Sequence, residues 1–140
     1  MGKLVVGLAG GLAVLMLVAA GCGDDGGSES GAEAEFDIET ITSRFPAYEP
    51  DQWEVPVGEV VGLTYTNEGA GKHDWTLLSE AIESEAEFDD GLVIAQAEPE
   101  NLGGQDTITF TLDEPGTYQV ICTLEHHFDD AGMEGTLTAG

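Results

Sequence analysis

Turn-forming residues interrupt this chain at short, regular intervals from residue 36 to its end, and the runs between them alternate in polarity. That pattern leaves little room for helices. Thr107-Ile108-Thr109-Phe110-Thr111-Leu112 alternates most clearly and puts Ile108, Phe110 and Leu112 on one face. Phe36-Asp37-Ile38-Glu39-Thr40-Ile41 alternates as well. In Val60-Val61-Gly62-Leu63-Thr64-Tyr65-Thr66, residues Val61, Leu63 and Tyr65 share a face. Residues 117–122 place Tyr118, Val120 and Cys122 together, after an Asp113-Glu114-Pro115-Gly116 turn. Gln52-Trp53-Glu54-Val55, Trp75-Thr76-Leu77-Leu78 and residues 133–138 complete the set. Residues 92–97 read equally as strand or loop, and residues 79–88 as a short helix or a loop excursion with solvent-facing acids. Seven or eight short strands with such turns predict an all-β, antiparallel β-sandwich.

The strands begin late. Lys3 precedes an apolar, glycine-diluted stretch, residues 4–21, that ends Leu17-Val18-Ala19-Ala20-Gly21-Cys22. A charged start, an apolar middle and small residues before a cut site predict a secretory signal over 1–21. The small residues before Cys22 resemble a bacterial lipobox, which implies acylation of Cys22 as the new N-terminus. Residues 22–34 are rich in Gly, Ser and acid without apolar periodicity, and predict a flexible tether. The folded domain is then 35–140.

Charge narrows the partners. The chain carries 28 Asp and Glu, and loss of the signal leaves Arg44 and Lys72 as its only Lys or Arg. Phosphate binding needs clustered bases, so nucleic acid is excluded as a partner. A folded face docking on anionic lipid is excluded for the same reason. The acidity fits either a basic partner or a salty habitat, in which self-repulsion is screened.

The residues able to do chemistry are concentrated. Beyond the signal, Cys122 is the only thiol apart from Cys22, Met133 is the only thioether, and His73, His126 and His127 are the only imidazoles. All but Cys22 and His73 fall between residues 122 and 133. Two imidazoles, a thiolate and a weak thioether suit copper in both oxidation states, whereas structural zinc sites use more cysteine. The window supplies Cys122, Met133 and one histidine of the His126–His127 pair. His73, after the Asn67-Glu68-Gly69-Ala70-Gly71-Lys72 turn, is the remaining candidate.

Four segments then resemble the cupredoxins, the small blue copper proteins. They are Tyr48-Glu49-Pro50-Asp51-Gln52-Trp53-Glu54-Val55-Pro56-Val57-Gly58, Leu63-Thr64-Tyr65-Thr66-Asn67 with His73-Asp74-Trp75, Pro115-Gly116-Thr117-Tyr118-Gln119-Val120-Ile121-Cys122, and Gly132-Met133-Glu134-Gly135-Thr136-Leu137-Thr138. The resemblance implies a Greek-key cupredoxin sandwich with His73, Cys122, His127 and Met133 as ligands to one copper ion. His127 keeps the family's C-x4-H spacing, which His126 does not. Glu125-His126 stands where relatives carry Pro-Gly, and the loop has one extra residue before Met133. Asp74 stands where many relatives have Asn, a residue that ties the two ligand loops together. The resemblance also implies an apolar rim near the second histidine, for which Phe128, Leu124 and Ala131 are candidates. The expected function is single-electron transfer between extracytoplasmic redox proteins by a monomer held to the membrane through its lipid alone. The alternative is a copper chaperone or storage module. No nucleophile–base pair is evident, so enzymatic turnover is not expected.

Overall fold

A computed structural model describes residues 33–34, 36–45 and 47–140, and all statements below concern these residues. The expected signal, Cys22 and most of the tether lie outside them. No helix among them is long and apolar enough to cross a membrane.

Nine strands form two packed sheets. In chain order they are β1 (Phe36–Arg44), β2 (Ala47–Glu49), β3 (Gln52–Val55), β4 (Val60–Asn67), β5 (His73–Leu78), β6 (Val93–Glu100), β7 (Gln105–Thr111), β8 (Gly116–Ile121) and β9 (Glu134–Ala139). One sheet has the order β2-β1-β4-β7, the other β3-β9-β8-β5-β6. The expected sandwich is present, with one strand more than the upper count. The addition is β2, three residues around buried Tyr48, too short to show a period. Residues 92–97 resolve as β6, an edge strand, which is where Pro99 is tolerated. The excursion at 79–92 holds only two single-turn 3-10 segments, Glu85–Glu87 and Asp90–Leu92.

The expectation of a purely antiparallel sandwich needs correction: β1 pairs with β4, and β3 with β9, in parallel. Side-chain alternation reports which face a residue occupies and not the direction of its neighbour, so the sequence pattern is silent on this point.

The expected inward faces do form the core. Val61, Leu63, Tyr65, Phe110, Leu112, Val120 and Leu137 pack with Trp53 and Trp75 between the sheets. Each such large side chain removed from water contributes roughly 1.5–3 kcal/mol. Strand β5 is buried at every position. One of its faces meets the main core through Trp75 and Leu77, while Leu78 lies under the excursion with Ile82, Ile121 and Phe128. A strand covered on both faces loses the polar alternation, and Trp75-Thr76-Leu77-Leu78 shows none.

Candidate metal centre

Strands β5 and β8 are antiparallel neighbours, paired at Thr76–Ile121 and Leu77–Val120. The start of β5 therefore meets the end of β8. His73 opens the first, and Cys122 follows the second directly. The connection from Cys122 to β9 turns back over this end: the Met133 amide donates to the His127 carbonyl (2.9 Å) and the Cys122 amide to the Met133 carbonyl (3.2 Å).

Three donor atoms converge there. His73, Cys122 and His127 each present one, all within 4.8 Å of one another. His127 Nδ1 lies 3.2 Å from Cys122 Sγ and 3.2 Å from His73 Nδ1. Donors bonded to one first-row ion at about 2.0–2.3 Å stand roughly 3.4–3.8 Å apart. The two contacts of His127 Nδ1 thus need to open by a few tenths of an ångström, and two imidazoles with one thiolate are the donor set that copper takes in both oxidation states. Met133 is fully buried in the same core cluster as Cys122.

Neighbours fix how each donor points. His73 Nε2 is 2.9 Å from the Ala70 carbonyl oxygen, which only accepts, so Nε2 carries the proton and Nδ1 keeps its lone pair for the site. Asn67 sets that carbonyl in place. Its side-chain amide donates to the Gly71 (2.8 Å) and Glu100 (2.6 Å) carbonyls and its oxygen accepts from the Gly69 amide (2.8 Å). At Gly69 a Cβ would stand 3.3 Å from the His73 ring and 3.0 Å from the Phe45 amide nitrogen, so the turn packs against the imidazole only without a side chain. Asp74 ties the two ligand segments together, as the resemblance implies for its position. Its carboxylate accepts from the Thr123 amide (2.8 Å), the Thr123 hydroxyl and the Gln96 side chain (3.1 Å). Behind it, the Tyr48 hydroxyl donates to the Asp74 carbonyl (2.6 Å).

Electrostatics favour the neutral forms of Cys122 and His127. Burial, then the negative charge of Asp74, pushes the Cys122 thiol up to about 12. Burial, then neighbouring His73, lowers the His127 imidazole below its ordinary value. In the copper-free chain the unfolded state therefore takes up a proton at residue 127 before the folded state does. Stability is lost as pH falls from about 6.5 through the lowered value. The raised thiol leaves little nucleophile at neutral pH. Alkylation of Cys122 by iodoacetamide in the folded, copper-free chain is expected to be slower than in the unfolded chain by a factor on the order of a thousand, followed by mass spectrometry.

The two adjacent histidines separate. The His126 side chain is 69% exposed and lies between Asp130 (3.1 Å) and Glu125 (3.5 Å), facing away from the cluster that holds His127. His126 also has φ 69°, a left-handed conformation that favours glycine, which explains why relatives can place Gly there. The His126→Gly variant should gain up to about 1 kcal/mol in chemical denaturation and keep any copper charge-transfer band.

One expected rim residue, Phe128, is placed elsewhere. Phe128 is buried under the excursion with Leu78, Ile82 and Ile121, and Leu124 packs against the main core. The exposed ring over the site is Phe45, between β1 and β2. It is 49% exposed, stacks on His73 (centroids 5.5 Å, 22° between planes) and tilts against His127 (5.2 Å). Its sequence signal was an aromatic directly before Pro46 in a turn, too common to single out.

Comparisons with known proteins agree with this geometry. The sequence matches the cupredoxin-like domain family over residues 11–139. Reduced auracyanin from the photosynthetic bacterium Roseiflexus castenholzii superimposes with a TM-score of 0.66 and 28% identity, over 76% of this chain and 98% of that one. Auracyanin A, a "blue" copper protein of Chloroflexus aurantiacus, gives 0.64 and 25%, over 74% and 98%. Rusticyanin from Thiobacillus ferrooxidans shares the fold, with a TM-score of 0.61 at 17% identity over 74% of this chain and 77% of that one. A search of curated proteins finds no match. With the sandwich, the convergent imidazoles and thiolate and the family match in agreement, the chain belongs to the cupredoxin-like family, and His73, Cys122 and His127 are positioned to bind one copper ion.

Proposed function

We propose that this chain is a blue copper electron carrier, exported and held at the membrane by a lipid on Cys22. The observation that carries the reading is the convergence of two imidazole nitrogens and one thiol sulfur at a buried point beneath an exposed aromatic ring. Copper supplies a one-electron couple there. His73, Cys122 and His127 hold the ion, with Met133 as the weak fourth ligand. Asp74 and the Ala70 carbonyl keep the donors in one arrangement, which limits rearrangement when the charge on the site changes. Phe45 excludes water from the two imidazoles and offers an apolar contact to a partner. The similarity to auracyanin A, itself described as a blue copper protein, supports the same reading.

The signal at 1–21 and the lipobox-like residues before Cys22 support an extracytoplasmic, anchored location. Residues 22–34 then act as a tether that raises the local concentration of the domain near membrane redox proteins. Acidity argues for partners with a basic docking face. The test is stopped-flow oxidation of the Cu(I) protein by a cationic and by an anionic outer-sphere oxidant. Between about 0.01 and 0.1 M salt the cationic reaction should slow several-fold and the anionic one quicken. Salt-independent rates with both would remove the steering role of the acidic surface. A protein that holds copper but exchanges no electron would favour copper delivery.

A further inference from the structure

The sequence suggests that the acids of the 79–88 excursion face solvent, yet one of them reaches across the surface to the ligand loop. Glu85 Oε1 accepts from the Phe128 (3.1 Å) and Asp129 (3.3 Å) amides, and Oε2 accepts from the His126 amide (3.1 Å). The Glu85 amide donates in return to Asp129 Oδ1 (2.8 Å). The carboxylate therefore holds the backbone on both sides of His127 while touching no donor atom of the site. Burial acts to raise its carboxyl, but the three amide donors favour the ionised form and the net shift is downward.

The excursion is itself fastened. The Gln119 side chain accepts from the Ile82 amide (2.9 Å) and donates to the Ile82 carbonyl (3.2 Å). Ile82 and Phe128 share one apolar cluster with Leu78 and Ile121. Glu85 thus presses on the loop from a segment anchored in β8, not from a free coil. The loop needs such a hold. Its His126 occupies a left-handed conformation without being glycine, and its peptide amide is one of the three that Glu85 accepts.

We propose that Glu85 is a positioning residue for the copper site, fixing the loop that carries His127 so that the imidazole stays in one place through changes of oxidation state. The proposal rests on the copper reading above. It is tested with Glu85→Ala and Glu85→Gln, with Glu87→Gln as control. Glu87 lies in the same turn and accepts only locally, from the Glu83 amide (2.9 Å). In the copper-free chain, hydrogen exchange at the amides of His126, Phe128 and Asp129 should quicken about tenfold or more in Glu85→Ala. In the loaded chain, Cu(I) loss to a chelator should quicken about 10–100-fold, with a broadened Cu(II) electron-spin signal. Glu85→Gln should lie between, because its amide accepts through one atom only, and Glu87→Gln should match the parent. Unchanged exchange would overturn the clamp. Faster exchange with unchanged copper loss and spectrum would reduce Glu85 to a loop staple and overturn the positioning role. Equal effects from Glu87→Gln would assign them to charge alone. A parent chain that takes up no copper defeats the copper reading and the positioning role with it, while the exchange measurement still reports on the clamp alone.

Discussion

Cys122→Ser should abolish the intense visible absorption of the Cu(II)-loaded chain while leaving the sandwich folded. The band requires charge transfer from a thiolate, and a serine hydroxyl is not deprotonated at this site near neutral pH. The change is nearly isosteric at a fully buried position in the main core cluster, so packing is largely kept. Copper affinity should fall with the band, because the thiolate is lost and only two imidazoles and a weak thioether remain. Absorption and circular dichroism on the same sample separate the two effects. A persistent band in Cys122→Ser would show that the chromophore lies elsewhere.

The largest stability effect is expected at Asp74. Its carboxylate is fully buried and receives the Thr123 amide, the Thr123 hydroxyl and the Gln96 side chain. Asp74→Ala leaves the Thr123 amide and hydroxyl without their acceptor, while Gln96 keeps its bond to Thr76 Oγ1 (3.0 Å), at a cost on the order of 3 kcal/mol. At about 4–8 °C per kcal/mol for a domain of this size, the melting temperature should drop by more than about 10 °C. The link between the His73 and Cys122 segments is lost with it, so the copper band should weaken as well. Asp74→Asn is the milder test. Its amide oxygen still accepts from Thr123, but its NH2 faces the NH2 of Gln96. Removing a negative charge near the site destabilises Cu(II) relative to Cu(I), and the reduction potential should rise in voltammetry. A melting temperature unchanged in Asp74→Ala would show that the tether contributes nothing.

How much of this was legible beforehand follows from which interactions are local. Rare residue types in a short window point to a site, and Cys122, Met133 and the His126–His127 pair stand out on that ground, whereas the choice of His127 came from the spacing of the family the chain resembles. The inward faces of β4, β7 and β8 were readable because alternation is a property of one strand. The tether at Asp74 was reachable only through family resemblance, since its partners Thr123 and Gln96 are far away in sequence. Phe45, Asn67 and Glu85 were missed for the same reason. Phe45 meets His73 and His127 across strands, and Glu85 meets the ligand loop more than forty positions on. Nothing in the composition of an acidic loop separates the one glutamate that reaches the ligand loop. Strand direction failed differently: the parallel β1–β4 and β3–β9 pairs depend on how the chain switches sheets, which no single strand encodes.

The central claim is that His73, Cys122 and His127 form one blue copper site. Titration of the purified copper-free domain with Cu(II), followed by visible absorption and electron-spin resonance, tests it most directly. The expected result is an intense blue or green band that saturates at one equivalent, with a narrow copper hyperfine splitting. Tight uptake of Cu(II) without colour, or saturation beyond one equivalent with no thiolate band, would contradict it.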